Sequence, residues 1–298
     1  MAASNFSMGG FPVLQASEFR QISGLAYEHF GLDLSNGKEG LVAARLGKKL
    51  RELKLPSFQA YLDYVKADRT GDALTSMVDL LTTNHTSFFR EAKHFDFLRS
   101  TVLPQLEGRP TIDIWSAACS TGEEPYSIAM SLLEEAGPTA LAKVRIKATD
   151  ISTRVLETGR QGVYPEARFG DVPDALMRKY LLRGQRGSAG CFRFKDEVRS
   201  MIQFEHLNLM TKLPEGYKCS ALFCRNIMIY FDKPTQQNLV ARLSEHIEDG
   251  GYFFVGHSES LNGISHQLEF VAPATYRKVA KSSSRTERMH LVRQIGRR

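Results

Sequence analysis

Apolar residues in the first third of the chain recur at the spacing of amphipathic helices. They lie three or four positions apart, which places them on one face of a helix. The first stripe stops at Gly31, and the second follows Pro56-Ser57, a pair that commonly starts a helix. The pattern therefore predicts a helical region. Its apolar stripes are Phe19, Ile22, Leu25, Ala26 and Phe30; Phe58, Tyr61, Leu62 and Val65; and Leu74, Met77, Val78 and Leu81.

Another apolar stripe, between the first two, has a basic face beside it. The segment from Lys38 to Leu55 is predicted to be an amphipathic helix. Its apolar side consists of Val42, Leu46, Leu50 and Leu53. Its basic side consists of Arg45, Lys48 and Lys49, with Lys38 two turns earlier. On this pattern alone, such a face is most simply a solvated helix surface.

After residue 108 the pattern changes to short apolar or β-branched runs separated by helical segments. Such alternation predicts a largely parallel sheet covered by helices, with ligands bound at the carboxyl ends of the strands. The last two runs would close the sheet as an antiparallel pair. The predicted strands are Thr111 to Ser116, Val144 to Asp150, Met201 to Glu205, Ser220 to Cys224, Tyr252 to Val255, Leu268 to Val271 and Thr275 to Val279.

Two other segments of this region carry local signals. A helix is predicted after Asp232, which would be its N-cap, with Pro234 in the first turn and Gly250-Gly251 beyond its end. Its apolar face would be Leu239, Val240, Leu243 and Ile247. The glycine-rich stretch from Tyr180 to Phe194 reads as a β-hairpin inserted between helix and sheet, although such a stretch is more often only a tight turn.

Composition excludes several classes of protein. The chain has 298 residues, of which 42% are apolar and 24% charged, enough for a real core and too apolar for general disorder. No apolar run approaches the roughly 18 residues needed to cross a bilayer, so we expect no membrane insertion. The N-terminus lacks a secretory signal, which predicts a cytoplasmic protein. The four cysteines show no Cys-x-x-Cys spacing, which argues against a disulfide framework or a zinc site.

The positive net charge of +6 is concentrated at the C-terminus. From Arg277 to the end there are eight basic residues and one acid, a net charge of +7, so the preceding 276 residues sum to −1. Global basicity is therefore no argument for nucleic-acid binding, and no specific nucleic acid is expected as a partner. The stretch 281–298 is predicted to be a disordered basic tail that either aids recruitment to an acidic surface or has no role.

The turn after the first predicted strand has the composition of a nucleoside-binding turn. Small residues from Ala117 to Gly122 lead into a helix, so that the backbone can approach a ligand closely. The second strand ends in Asp150, whose carboxylate can accept both ribose hydroxyls. The turn lacks Gly-x-Gly-x-x-Gly, and Glu123 and Glu124 would repel a pyrophosphate. A ligand with a ribose, a positive centre and no phosphate fits better, as S-adenosylmethionine does. On these residues alone, the two glutamates could equally serve only to complement the helix dipole.

Several motifs together make the chain resemble the CheR-type chemotaxis receptor methyltransferases, over about residues 15 to 280. They are Asn-x-Thr-x-Phe-Phe-Arg at 84–90, Ser-Thr-Gly-Glu-Glu-Pro-Tyr-Ser at 120–127, Asp150, Asn208-Leu209, Cys-Arg-Asn-x-x-Ile-Tyr-Phe at 224–231, and Gly-His-Ser-Glu at 256–259. In the fifth of these, the two variable positions are Ile227 and Met228, and the isoleucine is Ile229. The resemblance implies an α/β fold, with a small all-helical N-terminal domain and a Rossmann-like class I methyltransferase domain that carries a small inserted β-hairpin subdomain. Its implied activity is S-adenosylmethionine-dependent methylation of glutamate side chains on bacterial chemoreceptors, which yields S-adenosylhomocysteine.

The resemblance also implies an organisation of the chain and roles for its residues. We expect a flexible N-terminus at 1–14, a helical receptor-recognition domain at 15–88, and a methyltransferase domain at 89–280 with an inserted helix and β subdomain at about 172–200. Arg90 and Tyr230 would lie nearest the transferred methyl group, with Asp150 on the ribose and Asn208-Leu209 beside the adenine. The implied cofactor-binding residues are Asn84, Thr86, Arg90, Glu124, Asp150, Asn208, Leu209, Arg225 and Asn226.

The implied reaction agrees with what the sequence lacks. A glutamate side chain has a pKa of about 4.3, so the acceptor is already ionised at neutral pH and needs no general base. Neither a catalytic triad nor a metal site is therefore expected. Two alternatives remain at this point: a methyltransferase acting on RNA or a small molecule, and a non-catalytic module that only binds the cofactor. The intact Arg90 and Tyr230 weigh against the second.

The resemblance also suggests partners. In the family, the basic helix face of Arg45, Lys48 and Lys49 is thought to dock the acidic methylation helices of receptors, and some members bind a receptor C-terminal peptide at the hairpin, here 180–194. The protein is expected to be a monomer that is recruited to membrane-bound receptor arrays. His257 is expected to be structural, since no proton transfer requires it. Trp115 is expected in the core.

Overall fold

The computed structural model describes residues 12–34, 37–82, 85–137 and 142–279. Most of the predicted flexible N-terminus, the basic tail at 281–298 and Asn84 lie outside the described residues. Among the residues that are described, no helix has the length and apolarity required to cross a membrane.

The N-terminal part forms the predicted helical domain. Gly31 ends the first helix in the left-handed conformation, with φ of 69°. Ser57 caps the third helix, where its Oγ accepts a hydrogen bond from the Ala60 amide at 3.1 Å. The apolar stripes of all four helices meet in one core, as their spacing predicted. The helices are α1 (Ala16–Phe30), α2 (Glu39–Glu52), α3 (Phe58–Ala67) and α4 (Asp72–Leu81).

A seven-stranded mixed sheet organises the rest of the chain, and each of its strands was predicted. The strands, numbered in chain order, are β1 (Ile112–Ala117), β2 (Val144–Asp150), β6 (Ile202–His206), β7 (Cys219–Cys224), β8 (Ile247–Phe254), β9 (Leu268–Ala272) and β10 (Thr275–Lys278), and the three strands that lie between β2 and β6 in the chain belong to a second sheet described below. Their order is β6-β2-β1-β7-β8-β10-β9. All neighbouring pairs up to β8 are parallel, whereas β10 pairs with β8 and β9 in the antiparallel sense.

One of these strands, β8, begins earlier than predicted. It starts at Ile247, which the apolar pattern had assigned to the face of the preceding helix. Its first half contains Gly250 with φ of 83°, and the register against β7 shifts between Cys219 and Ala221. This irregular, polar and glycine-containing half gives no alternating pattern, which is why the sequence showed only the apolar half from Tyr252 onward.

Apolar layers cover both faces of the sheet. Along β1, Ile112 and Ile114 point into one core, whereas Trp115 and Ala117 point into the other. Trp115 is fully buried, as expected, and its Nε1 donates to Thr149 Oγ1 at 2.9 Å. The helices of this domain are α5 (Lys93–Phe97), α6 (Leu103–Gln105), α7 (Glu123–Ala136), α8 (Thr153–Gln161), α9 (Asp174–Tyr180), α10 (Asp196–Arg199) and α11 (Lys233–Glu245).

The inserted hairpin is confirmed and belongs to a three-stranded antiparallel sheet. Its strands are β3 (Val163–Pro165), β4 (Leu181–Arg183) and β5 (Cys191–Phe194), in the order β3-β5-β4. Gly184 allows the hairpin to close, because a Cβ there would lie 2.1 Å from the Ser188 carbonyl oxygen. Strand β3 was not predicted, since three residues are too few to show a period. The ring of Phe194 stacks on the ring of Tyr126, with 3.9 Å between the ring centroids, and this contact fixes the small sheet to α7.

Candidate active site

A cleft at the carboxyl ends of β1, β2 and β7 collects the predicted site residues that the structure describes. Both domains line it, with Phe30, Leu32, Val78 and Asp79 coming from the helical domain. The structure does not describe Asn84. The predicted residues that line the cleft are Thr86, Arg90, Glu124, Asp150, Asn208, Leu209, Arg225, Asn226 and Tyr230.

The turn between β1 and α7 brings backbone, rather than large side chains, to the cleft. Ala118 and Ser120 both adopt positive φ angles, 62° and 51°. Gly122, with φ of 99°, has no room for a side chain, because a Cβ would lie 3.0 Å from the Gly159 Cα. The Ser120 amide donates to Asp150 Oδ2 at 2.8 Å and thereby ties the turn to the end of β2. Gly122 is therefore required here by its positive φ and by the close approach of Gly159.

Asp150 presents a partly desolvated carboxylate at the end of β2. Its Oδ1 accepts a second backbone hydrogen bond, from the Ser152 amide at 3.0 Å. Burial raises the pKa of Asp150 to about 6, against the lowering effect of these amide donors. The carboxylate is therefore ionised at neutral pH, but at a cost that a hydrogen-bonding ligand would reduce.

Asn208 and Leu209 form the wall after β6. Asn208 Oδ1 accepts from the Met210 amide at 2.9 Å, and its Nδ2 donates to the His29 carbonyl at 2.8 Å. These bonds fix the orientation of the side-chain amide and connect this loop to the end of α1. Leu209 is buried and provides an apolar surface.

The two adjacent glutamates at the start of α7 have different surroundings. Glu123 is completely buried and is paired with Arg168, which also donates to the Thr86 carbonyl at 3.0 Å. Glu124 lines the cleft, where its Oε1 accepts from Ser116 Oγ at 2.7 Å. Specific side-chain partners therefore hold both carboxylates, and complementing the helix dipole is not their only role.

Arg225 joins three segments beneath the cleft. Its side chain is only 2% exposed and lies 2.9 Å from a carboxylate oxygen of Glu91 and 2.9 Å from one of Glu124. It also donates to the Arg90 carbonyl. A buried guanidinium with two carboxylate partners is a fully compensated charge, and it holds the segment around Arg90 against the end of β7.

Glu91 is the residue of this network that sequence analysis missed. Besides Arg225, it accepts hydrogen bonds from Asn226 Nδ2 at 3.3 Å and from the His257 amide at 3.0 Å. Burial alone would raise the pKa of Glu91, but Arg225 and these donors lower it to about 2. The sequence offered one signal for Glu91: it directly follows Arg90, the last residue of the Asn-x-Thr-x-Phe-Phe-Arg motif.

Two histidines adjoin this network. His94 is buried, and burial together with the nearby Arg225 lowers its pKa to about 4, so the ring is neutral. Ligand atoms of Glu91, His94 and His257 lie within 4.8 Å of one another. Because hydrogen-bond donors already contact both oxygens of Glu91, we interpret the three residues as a polar network, not a metal site, that packs the segment of Glu91 and His94 against the loop of His257.

Arg90 reaches the cleft from a constrained backbone. Both neighbours have positive φ angles, 54° at Phe89 and 60° at Glu91. Arg90 Nη1 donates to the His85 carbonyl at 2.6 Å. That bond uses one of the five N–H donors of a guanidinium, so the group retains donors for a carboxylate ligand.

Tyr230 is held by the loop after β7 and by the helical domain. The buried Glu259 carboxylate accepts from the amides of Asn226 and Met228 at 2.8 and 2.7 Å, which orders the loop. The Asp33 amide donates to the Tyr230 carbonyl at 2.8 Å, and Tyr230 packs against the core of the helical domain. These hydrogen bonds show that Glu259, the last residue of the Gly-His-Ser-Glu motif, has a structural role in positioning this loop.

Comparison with known proteins identifies the family. Residues 17–82 match a family model described as the CheR methyltransferase all-alpha domain, and residues 84–277 match the CheR methyltransferase SAM binding domain. The chain belongs to the CheR methyltransferase family. It is therefore an S-adenosylmethionine-dependent methyltransferase of chemotaxis.

Named relatives cover nearly all of this CheR family member. It is 40% identical over 269 residues to the chemotaxis protein methyltransferase of Borreliella burgdorferi, which covers 88% of this chain and 94% of the relative. Identity to chemotaxis protein methyltransferase 2 of Pseudomonas aeruginosa is 41% over 260 residues, or 87% and 92% of the two chains. Identity to the Escherichia coli chemotaxis protein methyltransferase is 36% over 266 residues, or 88% and 91%.

The residues of the cleft fit the cofactor that this CheR domain binds. S-adenosylmethionine has a ribose, an adenine and a cationic sulfonium, and it has no phosphate. The close backbone turn, the carboxylate of Asp150 and the apolar Leu209 fit the nucleoside part of the cofactor.

The basic face of α2 in this CheR family member is only partly free of internal contacts. Arg45 Nη1 donates to the Leu81 carbonyl at 2.6 Å and so binds the end of α4. Lys49 lies 3.5 Å from Glu52, and Lys48 is exposed. Of the three residues predicted to dock a substrate, Lys48 is therefore the most accessible.

Proposed function

We propose that this methyltransferase transfers the methyl group to glutamate carboxylates of bacterial chemoreceptors and forms glutamate methyl esters and S-adenosylhomocysteine. The observation that carries the proposal is the presence of Arg90 and Tyr230 in the same cleft as the cofactor-binding candidates Asp150, Asn208 and Leu209. A cation and a phenol beside the cofactor suit a carboxylate acceptor better than an uncharged one.

Residues of the cleft would hold the cofactor by its adenosine part. Asp150 would accept hydrogen bonds from the ribose hydroxyls, and Asn208-Leu209 would flank the adenine. The predicted contacts of Thr86, Glu124, Arg225 and Asn226 remain part of this proposal, as does that of Asn84. When bound, S-adenosylmethionine supplies an electrophilic methyl group on a positively charged sulfur.

The protein would contribute to the reaction chiefly by positioning. The acceptor carboxylate is ionised at neutral pH, so no side chain has to remove a proton. Arg90 would hold it with charge-assisted hydrogen bonds, and Tyr230 would orient it. Correct placement of two reactants is worth roughly 7 to 11 kcal/mol in favourable intramolecular reactions. The Arg90 backbone, fixed by Arg225, is suited to such a role.

The receptor would dock on the basic face of α2. Chemoreceptor methylation regions are acidic helical bundles, and Arg45, Lys48 and Lys49 provide a complementary charge. A receptor C-terminal peptide could add to the inserted sheet at 180–194, where β4 is an edge strand. We further propose that the enzyme acts as a cytoplasmic monomer recruited to receptor arrays.

Mass spectrometry of a methylated receptor fragment tests the acceptor. The enzyme, the cofactor and a purified receptor cytoplasmic fragment are incubated, and the fragment is digested. We expect the added methyl group on glutamate side chains of the methylation helices. Methylation confined to lysine, arginine or a terminus would overturn the proposal.

A further inference from the structure

Asp79 is an acidic residue of the helical domain that faces the cofactor cleft. It lies in α4 and lines the same cavity as Asp150, together with its neighbour Val78. Its side chain is only 11% exposed. The cavity lies at the edge of the domain that matches the SAM binding domain of the family, so the ligand class is known independently of Asp79.

Ser152 connects Asp79 to Asp150. The Ser152 hydroxyl donates to Asp79 Oδ2 at 2.5 Å, and the Ser152 amide donates to Asp150 Oδ1 at 3.0 Å. Ser152 therefore donates to both carboxylates, that of Asp79 on α4 and that of Asp150 at the end of β2. Arg154 Nη2 lies 3.8 Å from the same Asp79 oxygen, and the Arg154 side chain is 78% exposed, so this ion pair is screened by solvent.

The carboxylates of Asp79 and Asp150 are close enough to interact electrostatically. Asp79 adds to burial in raising the pKa of Asp150, which means that the two carboxylates repel each other. The contact with Ser152 does not require a charge, because a neutral asparagine oxygen can accept the same hydrogen bond. A ligand that donates hydrogen bonds to both carboxylates would relieve this repulsion.

We propose that Asp79 is a second ribose-binding carboxylate, which the helical domain contributes to the cofactor site beside Asp150. The cis-diol of a ribose offers two hydroxyl donors, which two neighbouring carboxylates can accept. The inference rests on the proposed contact of Asp150 with the ribose. It makes the helical domain part of the cofactor site, in addition to its proposed role in receptor recognition.

Calorimetric titration with S-adenosylhomocysteine and with its 2′-deoxy and 3′-deoxy analogues tests the inference. The variants are Asp79→Asn and Asp79→Ala, with Asp150→Asn in parallel. Asp72→Asn is the matched control, since Asp72 lies on the same helix, carries the same charge and is exposed. Thermal melting of each variant reports whether it folds.

We expect Asp79→Asn to fold and to bind S-adenosylhomocysteine about tenfold more weakly, the size of one hydrogen bond to a charged group. The affinity lost on removing one of the two hydroxyls should be smaller in this variant than in the unmodified enzyme. The Asp72→Asn control should bind all three compounds normally.

Two results would overturn the inference. One is normal affinity in both Asp79 variants; the other is an equal loss for S-adenosylhomocysteine and for both deoxy analogues, which indicates a structural role. If the unmodified enzyme does not distinguish the analogues at all, the ribose contact of Asp150 fails as well. If it distinguishes them through Asp150 and not through Asp79, only the present inference fails.

Discussion

The guanidinium of Arg225 lies 2.9 Å from the Glu91 carboxylate, although 133 residues separate the two in the chain. Glu91 directly follows Arg90, and Arg225 directly follows β7, so this pair connects the proposed acceptor-binding residue to the sheet. Arg225 is also paired with Glu124, so loss of the Glu91 carboxylate removes hydrogen bonds to a charged group and leaves the guanidinium with one carboxylate partner.

Glu91→Gln should therefore destabilise the protein. We expect a loss of roughly 1.5 to 3 kcal/mol, the size of a hydrogen bond to a charged group, because Glu124 still neutralises the Arg225 charge. Denaturant unfolding without cofactor measures the change. Glu107→Gln is the control at an exposed position and should be neutral. A Glu91→Gln variant with the stability of that control would contradict the assigned role.

Cofactor affinity should depend on the protonation of Asp150. Its pKa is raised to about 6, so the ionised acceptor is lost as the pH falls through 6. We expect affinity for S-adenosylhomocysteine to rise between pH 5 and 7 and then level off. Calorimetry across this range measures it, and Asp150→Asn should remove most of the pH dependence. An unchanged pH profile in that variant would disprove the link.

Asp150→Asn should also stabilise the enzyme when no cofactor is added. Because the pKa of Asp150 is raised from 3.8 to about 6 in the folded protein, stability is fully present below pH 3.8, falls as the pH rises to 6, and carries the full cost of the ionised carboxylate above that. Asp150→Asn removes that cost. We expect a higher melting temperature at pH 7.5 and a smaller difference at pH 4.5. A lower melting temperature at both pH values would show that the charge contributes to the fold.

Arg90→Ala should impair turnover more than cofactor binding. The loss of a charge-assisted contact to the acceptor corresponds to about tenfold to a hundredfold in kcat/KM for receptor. Calorimetry with cofactor should show a much smaller change. Arg145→Ala, at an exposed position on β2, is the control. If cofactor affinity falls as much as turnover, Arg90 organises the cofactor instead.

Charge reversal on α2 should weaken receptor recognition alone. Lys48→Glu with Lys49→Glu is the cleaner variant, because Arg45 also binds the end of α4. We expect the KM for receptor to rise several-fold, more at low salt, while cofactor affinity stays constant. Lys66→Glu, an exposed lysine on α3, is the control. Unchanged receptor kinetics would refute docking at this face.

Local signals predicted most of the fold. Ser57 and Asp232 cap helices as expected, since a cap depends on residues only three positions away. The apolar pattern alone predicted the strand around Trp115 and the burial of the Trp115 side chain. Strand β3 and the first half of β8 were missed because short or irregular strands have no readable period.

The site was less predictable from sequence. Motif resemblance indicated Arg90, Asp150 and Arg225, all of which line the cleft. The partners Glu91 and Asp79 escaped notice because their contacts join segments that are far apart in the chain. A charge pair of that kind leaves no periodic pattern, and only the folded structure brings its members together.

The kind of bond that attaches the transferred methyl group to the receptor tests the central claim most directly. The enzyme is incubated with S-adenosylmethionine and a receptor cytoplasmic fragment, and the S-adenosylhomocysteine formed is compared with the methanol that base releases from the fragment. We expect one methanol for each S-adenosylhomocysteine, because carboxyl methyl esters are labile to base. Product formation with a methyl group that base does not release would contradict glutamate methylation.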